Sequence, residues 1–153
     1  MAEQHGRMAA DLNVAEQFVL WALRTRLEGA AKLGRLEEGF RLAHDGRAGS
    51  AARAAFEPWF EALAAHCRRD LYLHRTSCPC LSGDEQAMMD LVASAQAGDE
   101  ARLRRLAAAL VDPRAIGVLL SASRSFADAL CQLGLHLSGS EAQSRPGAGA
   151  RLH

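Results

Sequence analysis

Residues 82–113, SGDEQAMMDLVASAQAGDEARLRRLAAALVDP, decide the fold because they contain two helix starts with a helix stop between them. Ser82 and Glu85 form a capping box, in which each side chain bonds the other residue's backbone amide. Gly98 is a typical residue just after a helix, and Asp99 is a typical residue just before the next one. The stretch therefore predicts two helices, at residues 83–97 and 100–111.

Helical spacing of apolar residues extends through most of the chain. Leu103, Leu106 and Leu110 recur at the three- to four-residue period of a buried helix face. No stretch shows the sustained alternation of apolar and polar residues that is typical of a half-buried strand. We therefore expect an all-α, single-domain helical bundle of about five or six helices. The other clear helices are predicted at residues 14–33 and 113–137.

Capping signals and composition set the expected limits of the domain. The helical domain is predicted to cover residues 13–137, from the first capping residue to the end of the last periodic segment. Residues 1–12 are expected to form a flexible leader. Residues 138–153 are rich in Gly, Ser, Ala and Pro and have no apolar face, so they are expected to form a disordered C-terminal tail.

The first predicted helix is apolar on two sides. Asn13 and Glu16 form its capping box. A broad apolar stripe marks one face and is formed by Val19, Leu20, Leu23, Leu27, Ala30 and Ala31. Val14, Phe18 and Trp21 gather on nearly the opposite side. Such a helix is either central in the fold or presents one side to a partner. Because Trp and Phe are typical interface anchors, these three residues are predicted to bind another protein or a second copy of this chain.

The organisation of residues 34–57 is open between one bent helix and two short ones. A turn is expected at residues 44–46, with the sequence His-Asp-Gly. From Trp59 onward the apolar period is helical, and a packed aromatic core is its expected use. An alternative is an enzyme pocket near Trp59 and Phe60 in which His66 or His74 serves as a general base. The apolar stripe of this helix is predicted to contain Phe56, Phe60, Leu63, Ala64, Cys67 and Leu71.

Residues 66–85, HCRRDLYLHRTSCPCLSGDE, contain the densest group of residues suited to site chemistry. Cys67, His74, Cys78 and Cys80 follow the pattern C-x6-H-x3-C-x-C. Thiolate and imidazole groups are the usual ligands of zinc and of softer metals. The pattern matches no familiar zinc finger or ribbon. The four residues are therefore candidate ligands of a zinc, copper or iron ion, on residue type alone.

Thiol redox chemistry is a second interpretation of the same segment. Cys80 lies two residues before Ser82, close to the positive end of the following helix. That position is expected to lower the pKa of the Cys80 thiol and to raise its thiolate fraction. Cys78 is then the expected partner in a reversible disulfide. A purely structural role, with Cys67 in the core and the other two thiols filling a turn, is also open.

Charge and targeting signals narrow the class of protein. The 153 residues include eighteen acidic and eighteen basic side chains, which argues against nucleic acid or an anionic membrane as a partner. The N-terminal residues lack a signal-peptide pattern, and no apolar run is long enough to span a membrane. We therefore expect a non-enzymatic, cytoplasmic helical protein that acts by protein–protein interaction or self-association. Metal binding or a thiol-redox response through residues 67–80 is the alternative.

Overall fold

A computed structural model describes residues 7–43 and 47–139, and within them the chain is an all-α bundle, as the sequence predicts. None of the helices in these ranges is both long and apolar enough to cross a membrane. Single turns of 3-10 helix lie at Ala9–Asp11, Ala30–Lys32 and Pro113–Ala115. The α-helices are α1 (Val14–Leu27), α2 (Leu33–Ala43), α3 (Arg47–His66), α4 (Gly83–Ala97), α5 (Glu100–Leu110) and α6 (Ile116–Gln132).

The two helices predicted from the capping signals are confirmed. The Oγ atom of Ser82 accepts a hydrogen bond from the Glu85 amide at 3.0 Å, and the Ser82 amide donates to Glu85 Oε1 at 2.9 Å. Gly98 ends α4 with a φ of 73°, a left-handed conformation that costs glycine little because it has no Cβ. The side chain of Asp99 then accepts from the Arg102 amide and begins α5.

The first and last helices are shorter than predicted. α1 ends at Leu27 rather than at residue 33, because Gly29 has a φ of 103° that no right-handed helix contains. Ala30 and Ala31, predicted on its buried stripe, are exposed. α6 starts after a 3-10 turn and ends at Gln132, and the Leu135 amide donates back to the Leu130 carbonyl at 2.9 Å across Gly134.

Residues 34–57 contribute to two helices, α2 and α3, while the turn predicted at residues 44–46 lies outside the described residues. Pro58 lies inside α3. The predicted stripe is correct for the buried Phe56, Phe60 and Leu63 but wrong beyond them. α3 ends at His66, so Cys67 and Leu71 do not continue a helical face.

The core lies where α6 packs against α3, α4 and α5, and α1 closes one side by packing against α2 and α4. A chain of aromatic rings links these helices. The ring centroids of Phe40 and Phe56 are 5.6 Å apart, and those of Trp59 and Phe126 are 5.0 Å apart. Trp59 is completely buried among these rings, which is the aromatic core expected from the sequence.

Residues on both sides of the predicted domain, 13–137, also make contacts with the helical bundle. Within residues 7–12, assigned to the flexible leader, Leu12 is buried and the Ala9 amide donates to the Pro79 carbonyl at 2.8 Å. Ser138 and Gly139, assigned to the tail, both donate backbone amides to Glu16 Oε2, at 3.1 and 2.9 Å. Residues 1–6 and 140–153 lie outside the described residues.

Candidate functional site

The segment between α3 and α4 has no regular secondary structure and is fixed to the bundle at two places. Near its start, Cys67 pairs with Val111 in an isolated antiparallel bridge, and the Arg68 amide donates to the Leu110 carbonyl at 3.0 Å. Near its end, Cys80 pairs with Met8 in a second bridge. The segment is therefore held in place from both sides of the bundle.

A buried ion pair lies beneath this segment. Arg24 of α1 donates to both carboxylate oxygens of Glu85 on α4, at 2.7 and 2.9 Å, and both side chains are almost completely buried. The Glu85 carboxylate also accepts from the backbone amides of Ser82 and His74, each at 2.9 Å. Burial raises the pKa of Glu85, but the bonds from Arg24 and the two amides outweigh it, so the pKa lies below its usual value.

Arg24 also holds the turn formed by Cys78, Pro79 and Cys80, which we name the CPC turn. Its Nη1 atom donates to the Cys78 carbonyl at 2.8 Å, and its Nη2 atom donates to the Cys80 carbonyl at 2.7 Å. The Cys78 amide donates to the Arg75 carbonyl at 3.0 Å and closes the tight turn at Thr76 and Ser77 that precedes these residues. The backbone on both sides of Pro79 is therefore fixed by one buried guanidinium.

The two cysteines of the CPC turn influence each other electrostatically. Cys78 is half-buried, Cys80 is exposed, and both are free thiols. The neighbouring Cys78 sulfur raises the pKa of the Cys80 thiol above its ordinary value, and Arg24 offsets this only in part. The lowered pKa expected from the nearby helix end is therefore wrong, because the neighbouring ionisable Cys78 acts more strongly than that helix end.

Replacing Cys78 with alanine is expected to lower the pKa of Cys80, because it removes the largest cause of the upward shift. The pH midpoint for alkylation of Cys80 by iodoacetamide should move to lower pH, since only the thiolate reacts. Peptide mapping by mass spectrometry after timed alkylation measures this midpoint. Cys67→Ala is the matched control and should leave it unchanged. A midpoint that is the same in both variants would contradict the influence of Cys78 on Cys80.

The structure does not bring the four predicted metal ligands together. The Cys67 sulfur donates to the Ala64 carbonyl at the end of α3, and the His74 ring stacks edge-on against Tyr72 with centroids 4.9 Å apart. Within residues 7–43 and 47–139, no group of three or more His, Cys, Asp or Glu side chains is arranged to hold a metal ion. Of the predicted set, only Cys78 and Cys80 form a pair.

The residues predicted to bind a partner are divided by the fold. Val14 is 76% exposed at the start of α1. Phe18 and Trp21 are half-buried, and the Phe18 ring meets Phe40 of α2 edge-on, with centroids 4.9 Å apart. Trp21 lies against Gly39 of the same helix. Two of the three side chains therefore pack within the chain itself.

Gly39→Ala tests this packing, because the added Cβ would lie 2.6 Å from Cζ3 of the Trp21 ring. We expect it to lower the free energy of unfolding by about 1–3 kcal/mol through overpacking, as measured by urea denaturation. Gly34→Ala is the matched control on α2, since its Cβ meets nothing within 4 Å. The control should raise stability by up to about 1 kcal/mol, because alanine favours a helix more than glycine does. Equal effects of the two substitutions would contradict the placement of Trp21.

A groove of about 520 Å³, which we name the CPC groove, lies between α1, the CPC turn and the N-terminal 3-10 turn. It brings one of the two thiols beside the apolar side chains of α1. Arg24 contributes to its wall as well as to the ion pair. The groove is lined by Ala9, Ala10, Gln17, Leu20, Trp21, Arg24, Thr76, Ser77, Cys78 and Pro79.

Arg24 and Glu85 are site residues that sequence reasoning missed. They are 61 positions apart in the chain, and no local pattern pairs them. One signal was available: Arg24 lies between Leu20 and Leu27 on the apolar stripe of α1. A charged residue at such a position indicates a buried ion pair, because an unpaired buried charge is costly. The chain matches no family model, and neither a curated protein nor a solved structure matches it.

Proposed function

We propose that this protein is a thiol-based redox switch in which Cys78 and Cys80 interconvert between two thiols and one disulfide. The observation that supports the proposal is that two free cysteines, two residues apart, lie in a segment whose backbone carbonyls are both bonded by the buried Arg24. With a peroxide as oxidant, one thiolate takes an oxygen atom to give a sulfenic acid. The second thiol then displaces that oxygen as water and completes the disulfide.

The fixed backbone of the CPC turn supports this chemistry. A disulfide requires the two Cβ atoms to lie about 3.5–4.5 Å apart, and two cysteines on a mobile loop reach that distance only occasionally. Arg24 bonds the carbonyls of Cys78 and Cys80 and is itself held by Glu85. The backbone that carries both thiols is therefore fixed before oxidation. Such a switch suits a non-enzymatic regulatory protein of the reducing cytoplasm, where structural disulfides are rare.

Mild peroxide treatment tests the proposal. We expect wild-type protein to lose two thiols, mapped to Cys78 and Cys80, and to regain both after dithiothreitol. Cys67 and Cys131, the other free cysteines, serve as internal controls that should keep their thiols. A double variant, Cys78→Ser with Cys80→Ser, should lose none reversibly. Equal oxidation of all four cysteines, or loss that dithiothreitol does not reverse, would contradict the proposal.

Self-association through α1 is a second candidate, and the exposure of Val14 supports it. The surface is formed by Val14 with the solvent-facing parts of Phe18 and Trp21. Val14→Asp changes this surface without disturbing the core, because the side chain is largely in water. Sedimentation analysis over a range of concentrations should show association in the wild type that the variant lacks. A wild type that stays monomeric throughout would exclude this candidate.

A further inference from the structure

The CPC groove has the size of a small-ligand site, and one of the two thiols forms part of its wall. Sites for small molecules commonly measure about 300–1,000 Å³, and this groove measures about 520 Å³. Cys78 is half-buried and lines the groove, whereas Cys80 is exposed and lies outside its lining. A ligand in the groove therefore contacts Cys78 and leaves Cys80 accessible beside it.

Arg24 gives the groove a hydrogen-bond donor. A guanidinium carries five N–H groups, and Arg24 uses four of them, two on Glu85 and one each on the carbonyls of Cys78 and Cys80. The fifth, on Nη1, has no acceptor among the described residues, although the side chain is only 2% exposed. Because an unpaired buried donor is costly, an acceptor oxygen on a ligand is favoured there.

The remaining walls of the groove combine apolar and polar groups. Trp21 and Leu20 supply apolar surface from α1, and Thr76 and Ser77 supply hydroxyl groups from the segment before the CPC turn. Small-molecule sites typically combine apolar walls with a few placed polar groups in this way. The geometry favours a compact ligand that carries sulfur together with carbonyl or carboxylate oxygens.

We propose that the CPC groove binds a small, peptide-like disulfide and that Cys78 is the sulfur that attacks it. This inference rests on the proposed redox function and names the partner of the switch. The Cys78 thiolate forms a bond to one sulfur of the ligand, the ligand's disulfide breaks, and one thiolate leaves and takes a proton from water. The Cys80 thiolate then attacks the Cys78 sulfur and releases the second small thiol. The ligand gains two electrons and the cysteine pair loses two.

Glutathione disulfide is the probe, and Cys80→Ser is the background that traps the first step. We expect a mixed disulfide mapped to Cys78, formed at least about tenfold faster in the folded chain than in the same chain unfolded in urea. Ala10→Phe narrows the groove at an exposed position and should abolish this excess rate. Ala101→Phe, at an exposed position on α5 outside the groove lining, is the matched control and should leave it unchanged.

Each outcome decides a separate part of the inference. A Cys78 rate equal to that of the unfolded chain, or one that Ala10→Phe leaves unchanged, overturns binding in the groove. Cystamine carries ammonium groups and no acceptor oxygens. Its rate of mixed-disulfide formation at Cys78 should therefore be raised less by folding than the rate with glutathione disulfide. An equal increase for the two disulfides overturns the role of Arg24. All of these results leave the peroxide-driven disulfide in the wild type intact. Failure to form that disulfide overturns the proposed function itself.

Discussion

Arg24→Met is expected to lower the free energy of unfolding by about 3–5 kcal/mol, the usual effect of removing one partner from a buried ion pair. Methionine replaces the unbranched stem of arginine and suits a helix, so the cost comes mainly from the lost bonds of the guanidinium. It leaves the Glu85 carboxylate buried without its guanidinium, and it leaves the carbonyls of Cys78 and Cys80 without their donor. Urea denaturation followed by circular dichroism measures the change.

Arg41→Met is the matched control for this prediction. Arg41 pairs with Glu38 on the surface of α2, where both side chains are more than half exposed, so its loss should change the free energy of unfolding little. The double variant, with Arg24→Met and Glu85→Met together, removes both charges of the pair. It should recover part of the stability that Arg24→Met loses, because no unpaired charge is then buried. If Arg24→Met cost no more than Arg41→Met, the buried pair would not be holding the CPC turn.

Glu16→Gln is expected to have the second largest effect, lowering the free energy of unfolding by about 2–3 kcal/mol at neutral pH. The buried Glu16 carboxylate accepts bonds from Arg7 and from the amides of Asn13, Ser138 and Gly139, so it joins both ends of the described domain. Glutamine keeps the shape but removes the charge and one acceptor oxygen. Urea denaturation measures stability, and hydrogen exchange at Gly139 measures the release of the C-terminal segment.

The stability lost on Glu16→Gln should also depend on pH, and it should be smaller in acid than at neutral pH. Burial raises the pKa of Glu16, but the bonds from Asn13, Gly139 and Arg7 outweigh it and hold the pKa below 4.5. A lowered folded-state pKa stabilises the protein above pH 4.5, and this contribution is lost as the pH falls through the folded-state value. The stability difference between wild type and Glu16→Gln should therefore shrink in acid. Glu38→Gln, at an exposed ion pair, is the control and should change stability little at neutral pH.

The helices that could be predicted from the sequence are those whose ends are decided by neighbouring residues. α4 starts with the Ser82–Glu85 capping box and ends at Gly98, and these signals lie within the helix and its flanks. The end of α1 was predicted several residues too far along the chain, because the sequence does not distinguish Gly29 from a glycine inside a helix. Its positive φ is known only from the structure. The ordering of residues 7–12 and 138–139 depends on Glu16 and Pro79, which are distant in the chain, so no local pattern could indicate it.

The candidate site was partly predictable for the same physical reason. Cys78 and Cys80 are two residues apart, so sequence reasoning could propose them as a redox pair without tertiary information. The four proposed metal ligands are not brought together among the described residues, because such a set requires distant residues to converge. Cys67 is held instead by Val111, and the His74 ring packs edge-on against Tyr72. Convergence of this kind is decided by tertiary packing, which spacing alone does not specify.

Redox equilibrium of the CPC turn tests the central proposal most directly. The full chain would be equilibrated with dithiothreitol buffers of graded ratio, quenched with acid, alkylated and mapped by mass spectrometry. The proposal predicts one reversible, two-electron transition confined to Cys78 and Cys80, with the same curve approached from oxidised and from reduced protein. Absence of a Cys78–Cys80 disulfide at every ratio, or disulfides scattered among all four cysteines, would contradict it.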